Sequence, residues 1–312
     1  MLIVDAHCDT INRILKQGSD LFRNTCHFDI ERALQNGSIV QFFTAFISPE
    51  YCQAYALKRA LQIIDKLCEQ VGLHNDVISL CADSAEIKEA LECGKMAAVL
   101  SIEGGEAFQG DLAVLRMFYR LGVRSVCLTW NRRNEIADGV SDAASGGGLT
   151  PFGRDVVREM NRLGMIVDVS HISEKGFWDV LEISGSPVIA SHSNSKKVCP
   201  HVRNLTDEQI LSIEKCGGVI GINLYPGFLT ESDACSIKDV LNHIEHIASL
   251  SGENHLGLGA DLDGIEKTPG NFHGVQDIPE IFDGLLRLNY PESFVRKFAG
   301  ENFLRVINQV MR

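Results

Sequence analysis

The sequence predicts an α/β chain folded as a (β/α)8 barrel of the TIM type, and three observations carry that prediction. Eight short apolar strands recur along the 312 residues, most of them followed by a helical stretch. No break in composition divides the chain, so residues 1–312 read as a single barrel domain with C-terminal helices packed on it. Side chains able to bind cations stand just after strands: His7 and Asp9 after the first, Glu103 after the third, His171 after the fifth, His192 after the sixth, Asp261 after the eighth. A barrel gathers every strand C-terminus on one face, whereas an open doubly wound sheet would spread them along an edge.

The elements follow in order. Leu2-Ile3-Val4 is an apolar, β-branched run suited to a buried parallel strand. Phe28 to Asn36 reads as a helix with Gly37 at the usual C-terminal glycine position. Ile39 to Ile47 is the second strand, and Leu57, Leu61, Ile64 and Leu67 space a helix over Tyr51 to Val71. A short extended piece, Val77 to Cys81, and a helix from Ser84 lead to Lys95. Met96 to Ile102 is the third strand, ending in Glu103-Gly104-Gly105-Glu106. A helix over Asp111 to Leu121 stops at Gly122, before the fourth strand, Ser125 to Thr129.

The polar loop from Asn131 to Thr150 is long enough to be functional or mobile. Its Gly146-Gly147-Gly148 lacks a phosphate-loop lysine and reads as a hinge. Pro151 opens a helix that Gly164 ends. The fifth strand, Met165 to Val169, and the sixth, Val188 to Ala190, flank a helix from Glu174 to Ile183. Thr206 caps a helix to Lys215, with Asp207 and Glu208 in its first turn. The seventh strand is Gly218 to Asn223, the next helix Ser236 to Leu250 and the eighth strand His255 to Ala260, and two or three helices close the chain.

Composition sets outer limits. Apolar residues at 45% and charged residues at 22% suit a soluble globular protein with a large core. The net charge of -12 and the lack of a Lys/Arg-rich face argue against nucleic acid as a partner. No run of about 18 apolar residues occurs, so no membrane span is expected. Neither a signal peptide nor a lipid-anchor signal is visible, and the ten scattered cysteines form no CxxC pair. The expectation is a cytoplasmic protein with reduced cysteines.

His7 and Asp9 lie two apart, so on a strand they project to one side and make half a metal site. Taken singly, each strand-end histidine or carboxylate is an ordinary turn residue; their coincidence on one barrel face favours a metal centre. The ligand count suggests two ions, His7 and Asp9 on one, His171 and His192 on the other, Glu103 bridging them. Nitrogen and oxygen donors without thiolates suit Zn2+, and also Mn2+ or Fe2+. Two ions about 3.5–4 Å apart acidify a bridging water and polarise a substrate carbonyl. Asp261 is then free to carry protons, with Asp263 as the competing candidate further from the strand end.

Ordered blocks along nearly the whole chain resemble the membrane (renal) dipeptidase family of zinc peptidases. They include Asp5-Ala6-His7-Cys8-Asp9-Thr10, Ile102-Glu103-Gly104-Gly105, Gly148-Leu149-Thr150-Pro151-Phe152-Gly153, Asp168-Val169-Ser170-His171, Ser191-His192-Ser193 and Gly259-Ala260-Asp261-Leu262-Asp263-Gly264. The resemblance implies two zinc ions on His7, Asp9, Glu103, His171 and His192, with Asp261 as acid and base. It implies hydrolysis of small dipeptides, with a D-residue tolerated at the C-terminal position, and it favours a homodimer. Arg203 matches the family arginine that holds the dipeptide carboxylate, a contact suited to a guanidinium fork.

Two positions depart from the pattern. Trp130 stands where mammalian members have a substrate-contacting histidine, so carbonyl polarisation would rest on the metals or on a neighbour such as Asn131. Phe228 stands near a tyrosine that helps bind the carboxylate, a role Tyr225 would take over. The alternatives are a related amidohydrolase acting on another small amide, such as an N-acyl amino acid or a lactam, and a metal-stabilised binding barrel without turnover.

Overall fold

Parallel pairing closes eight strands into a ring. The computed structural model describes residues 1–51 and 53–311; Cys52, one of the cysteines expected to be reduced, lies outside them. In chain order the strands are β1 (Leu2–Cys8), β2 (Ser38–Phe46), β3 (Ile78–Leu80), β4 (Met96–Glu103), β5 (Val123–Cys127), β6 (Ile166–Asp168), β7 (Val188–Ala190), β8 (Val219–Ile222) and β9 (Leu256–Leu258). Hydrogen bonds run in the order β2-β1-β9-β8-β7-β6-β5-β4, and β2 pairs with β4 from Val40↔Ala97 to Phe46↔Glu103. That last pairing turns the sheet into a (β/α)8 barrel.

The short extended piece seen in the sequence is β3, which is not a stave. Among the described residues it pairs only with the start of β4, Ile78↔Met96 to Leu80↔Ala98. Further along β4, β5 takes over the same edge. The staves are buried along almost their whole length, as parallel strands covered by helices on one face and by the barrel interior on the other must be.

Local signals place the helices. Pro151–Leu163 starts under a Thr150 cap and ends at Gly164, whose φ of 79° is left-handed backbone that glycine adopts without strain. Asp207–Lys215 opens with a capping box between Thr206 and Gln209. The expected helix over Phe28 to Asn36 is a four-residue turn, Ile30–Ala33, running into a 3-10 turn, Leu34–Asn36. A helix with no counterpart in the sequence reading, Thr10–Gln17, follows β1 directly.

The C-terminal helix Asn302–Val310 plugs the barrel floor. Phe303, Val306, Ile307 and Val310 join one buried cluster with Val4, Val40, Ala97, Val99, Ile166, Ile189 and Val219. Each such side chain contributes about 1.5–3 kcal/mol on burial. Gly257 makes room for the plug, since a Cβ there would fall 2.5 Å from the Phe303 ring. The floor is thus apolar, which leaves polar chemistry to the opposite mouth. No helix among the described residues is long and apolar enough to cross a membrane, and the cysteines among them are free thiols.

Candidate metal centre

All six strand-end residues meet at the barrel mouth. Glu103, the last residue of β4, stands between two sets of imidazoles. Its Oε1 lies 2.9 Å from His171 Nε2 and 3.6 Å from His192 Nε2, and its Oε2 lies 3.6 Å from His7 Nε2. On the far side, His7 Nε2 lies 3.2 Å from Asp9 Oδ2 and 3.8 Å from Asp261 Oδ1. His171 and His192 bring their Nε2 atoms to 2.8 Å. Two groupings of potential ligand atoms emerge, one of His7, Glu103 and His192 and one of His7, Asp9 and Asp261.

The route that brings His7 and Asp9 together is not strand alternation. A register shift interrupts β1 between Asp5 and Cys8, and the strand ends at Cys8. Asp9 sits at φ −103°, ψ 14° as the residue before helix Thr10–Gln17. Asn12 Nδ2 donates to Asp9 Oδ1 at 3.1 Å, leaving Oδ2 for the site.

Each imidazole is oriented from behind. His192 Nδ1–H donates to Ser191 Oγ at 2.7 Å, and Ser191 Oγ–H donates in turn to Asp168, which also accepts from the Ser170 and Ser191 amides. His171 Nδ1–H donates to Asn131 Oδ1 at 2.7 Å. His7 Nδ1–H donates to Thr44 Oγ1 at 3.4 Å, at the head of a chain through Ser101 Oγ to the Phe43 carbonyl. In this network every Nδ1 can carry a proton, which leaves every Nε2 available to give a lone pair to a cation.

Electrostatics favour a cation as well. Burial, then the charges of Asp9 and Asp261, pushes Glu103 well above the carboxylate range. Asp261 is raised to about 6, chiefly by burial. His171 and His192 are driven well below the usual imidazole value by burial, so both rings stay neutral. At His7 burial works downward, but Glu103, Asp9 and Asp261 outweigh it and hold the ring protonated up to about 10. Divalent cations among the same carboxylates would replace that proton. The donor set therefore fits one or two such ions.

Strained backbone marks the same place. His171, Asp261 and Asp263 lie in the left-handed region at φ 64°, 58° and 68°, an arrangement costing about 1 kcal/mol each. Gly264 completes the turn, because a Cβ there would fall 2.2 Å from Asp261 Oδ1 and 2.4 Å from Asp9 Oδ2.

A cleft of about 440 Å³ opens above the centre, lined in part by Phe46, Trp130, Asn131, Arg203, Tyr225 and Phe228. Arg203 is 5% exposed; its Nη2 donates to the His192 carbonyl at 3.2 Å, its Nε finds no partner, and it enters no ion pair among the described residues. Tyr225 is at the rim, its ring 4.8 Å from that of Phe228. Asn131 lines the cleft, yet its amide oxygen is engaged by His171.

Some participants escaped the sequence reading. His201, which stands at no strand end, lines the cleft with its ring 4.6 Å from Phe228. Asn223, just past β8, donates to Asp261 Oδ2 at 2.8 Å, and its place at a strand end was the available signal. Thr44 and Ser101 look like ordinary strand residues and gave none.

Comparison with known proteins agrees with this geometry. Residues 1–312 match the family described as membrane dipeptidase (peptidase family M19). The dipeptidase tcpJ of Claviceps purpurea (strain 20.1) is 34% identical over 298 residues, 91% of this chain and 69% of that protein. The crystal structure of a metallopeptidase described as dipeptidase AC superposes with a TM-score of 0.94 at 30% identity, covering 100% of this chain and 99% of the other. A metallopeptidase from Rhodobacter sphaeroides, solved with a phosphinate mimic of the dipeptide L-Ala-D-Ala, gives 0.92 at 29% identity, covering 99% of each chain.

Proposed function

The chain belongs to the membrane dipeptidase family and is a metallo-dipeptidase, and from that premise we propose that it is a dinuclear zinc enzyme that hydrolyses small dipeptides, including those with a C-terminal D-residue. The observation that carries the two-ion reading is the division of Glu103, one oxygen toward His171 and His192 and the other toward His7. The ions would be held by His7 and Asp9 on one side and His171 and His192 on the other, with Glu103 between. When bound they would polarise the scissile carbonyl and acidify the attacking water. The dipeptide mimic in the Rhodobacter sphaeroides protein supports both the substrate size and the D-residue.

The protein's own groups do the rest. Arg203, buried and in no ion pair among the described residues, binds the substrate's C-terminal carboxylate and so places the amide over Glu103. Asn223 holds Asp261 by Oδ2, leaving Oδ1 turned to the centre. There Asp261 accepts the proton of the attacking water and passes it to the leaving amine nitrogen. Tyr225 and Asn131 border the bound substrate, Asn131 mainly by keeping His171 in place. A homodimer completes the reading.

The test is a panel of L,L and L,D dipeptides on zinc-reconstituted protein, alongside Arg203→Met. Release of free amino acids, with KM raised about 100-fold or more in the variant, is expected, because a charge-assisted bidentate contact is lost. A substrate that tolerates Arg203→Met would favour an uncharged amide instead.

A further inference from the structure

Carboxylate binding at Arg203 sets a direction across the barrel mouth, and the opposite wall is aromatic. β2 and β7 are diametrically placed, four strands apart whichever way the ring is followed. Arg203 follows β7 and contacts the His192 carbonyl. Phe46 ends β2 level with Glu103. Trp130, three residues past the end of β5, brings its ring to 5.5 Å from Phe46 and 6.2 Å from His171. Both rings are half-buried and line the cleft. Beyond Trp130 lies a separate cleft of about 480 Å³ with Arg132, Arg133 and Glu135 in its lining, so the indole is a partition between the two.

A dipeptide tethered by its carboxylate to Arg203, with its amide over Glu103, points its amino-terminal residue at Phe46 and Trp130. We infer that Phe46 and Trp130 form the side-chain subsite for the amino-terminal residue, and that the preferred substrates are dipeptides beginning with a large apolar or aromatic residue. This rests on the reading of Arg203 given above. Two rings meeting at a tilt of 58° offer faces and edges to a third ring, and burial of apolar area adds to the contact. Trp130 is thus a specificity residue: it touches the substrate side chain and takes no part in the proton transfers.

The experiment varies one end of the substrate at a time on the zinc-loaded full chain. With a constant C-terminal alanine of whichever hand is cleaved, the amino-terminal residue runs through Gly, Ala, Leu, Phe and Trp. The expected result is a rise in kcat/KM of about 10-fold or more from Ala to Phe, seen mainly in KM. In Trp130→Ala, and separately in Trp130→Leu and Phe46→Ala, that ratio falls to roughly threefold or less. Because the ratio is taken within each variant, partial loss of folding or metal cancels. A flat amino-terminal series in an active enzyme, or a Phe/Ala ratio untouched in all three variants, overturns the subsite while leaving the dipeptidase reading intact. Failure to cleave any dipeptide removes both.

Discussion

Asp263 accepts hydrogen bonds from Thr10 Oγ1 at 2.6 Å and from the His27 amide at 2.8 Å, so its oxygens join the β9 turn to the segment after helix Thr10–Gln17. Asp261, two residues earlier, spends one oxygen on Asn223 and turns the other toward His7. The two carboxylates, rivals for one role on the sequence alone, are separated by their surroundings. Asp261→Asn is expected to lower kcat by about 10²–10⁴-fold with zinc content and melting temperature retained. Asp263→Asn should instead cost about 1–3 kcal/mol in chemical denaturation and leave bound metal unchanged. Behind His192, Ser191→Ala breaks the path from Nδ1 to Asp168, and zinc affinity measured by chelator competition should fall about 10–100-fold. The six residues that meet at the mouth were legible because imidazoles and carboxylates at strand ends are conspicuous. Their supports were not: a buried threonine such as Thr44 looks like any strand residue until its partner, distant in sequence, is seen beside it.

Elements behave differently from residues, since their positions depend on contacts the chain order hides. Caps and glycines announced Pro151–Leu163 and Asp207–Lys215 correctly. Helix Thr10–Gln17 was missed because Asp9, its preceding residue, was assigned to strand alternation. The short extended piece at β3 stands apart from the eight strands counted in the sequence, and its pairing, among the described residues, with the start of β4 alone bears that out. Helix Ile237–Ser251 anchors the segment that carries Arg203 through His243, which accepts from the Ser195 amide at Nδ1 and donates from Nε2 to the Leu229 carbonyl. Burial lowers this imidazole from 6.5 to about 4. Because the folded value is depressed, the unfolded chain binds more protons between these limits. The stabilisation is full above about pH 6.5 and is lost as pH falls toward 4, at most about 3 kcal/mol. Urea midpoints at pH 7.5 and 5 should fall less in His243→Gln than in the parent chain; equal falls would exclude His243 as the titrating group.

At the scale of the molecule, the barrel floor is sealed by apolar side chains from the C-terminal helix, and the mouth concentrates three buried carboxylates with three imidazoles. Eight apolar strands in sequence were enough to anticipate this division, because a closed parallel ring has one face for its strand ends. What sequence order did not reveal is the diametric placement of Arg203 against Phe46 and Trp130, a product of ring closure through β2 and β4. The central claim is that the mouth grips a pair of cations with Glu103 between them. Its most direct test is anomalous diffraction at the zinc edge from crystals of the zinc-loaded chain. Two peaks roughly 3.5–4 Å apart, one beside His7 and Asp9 and one beside His171 and His192, with a Glu103 oxygen on each, are expected; a single peak, or peaks not shared by Glu103, would contradict the account.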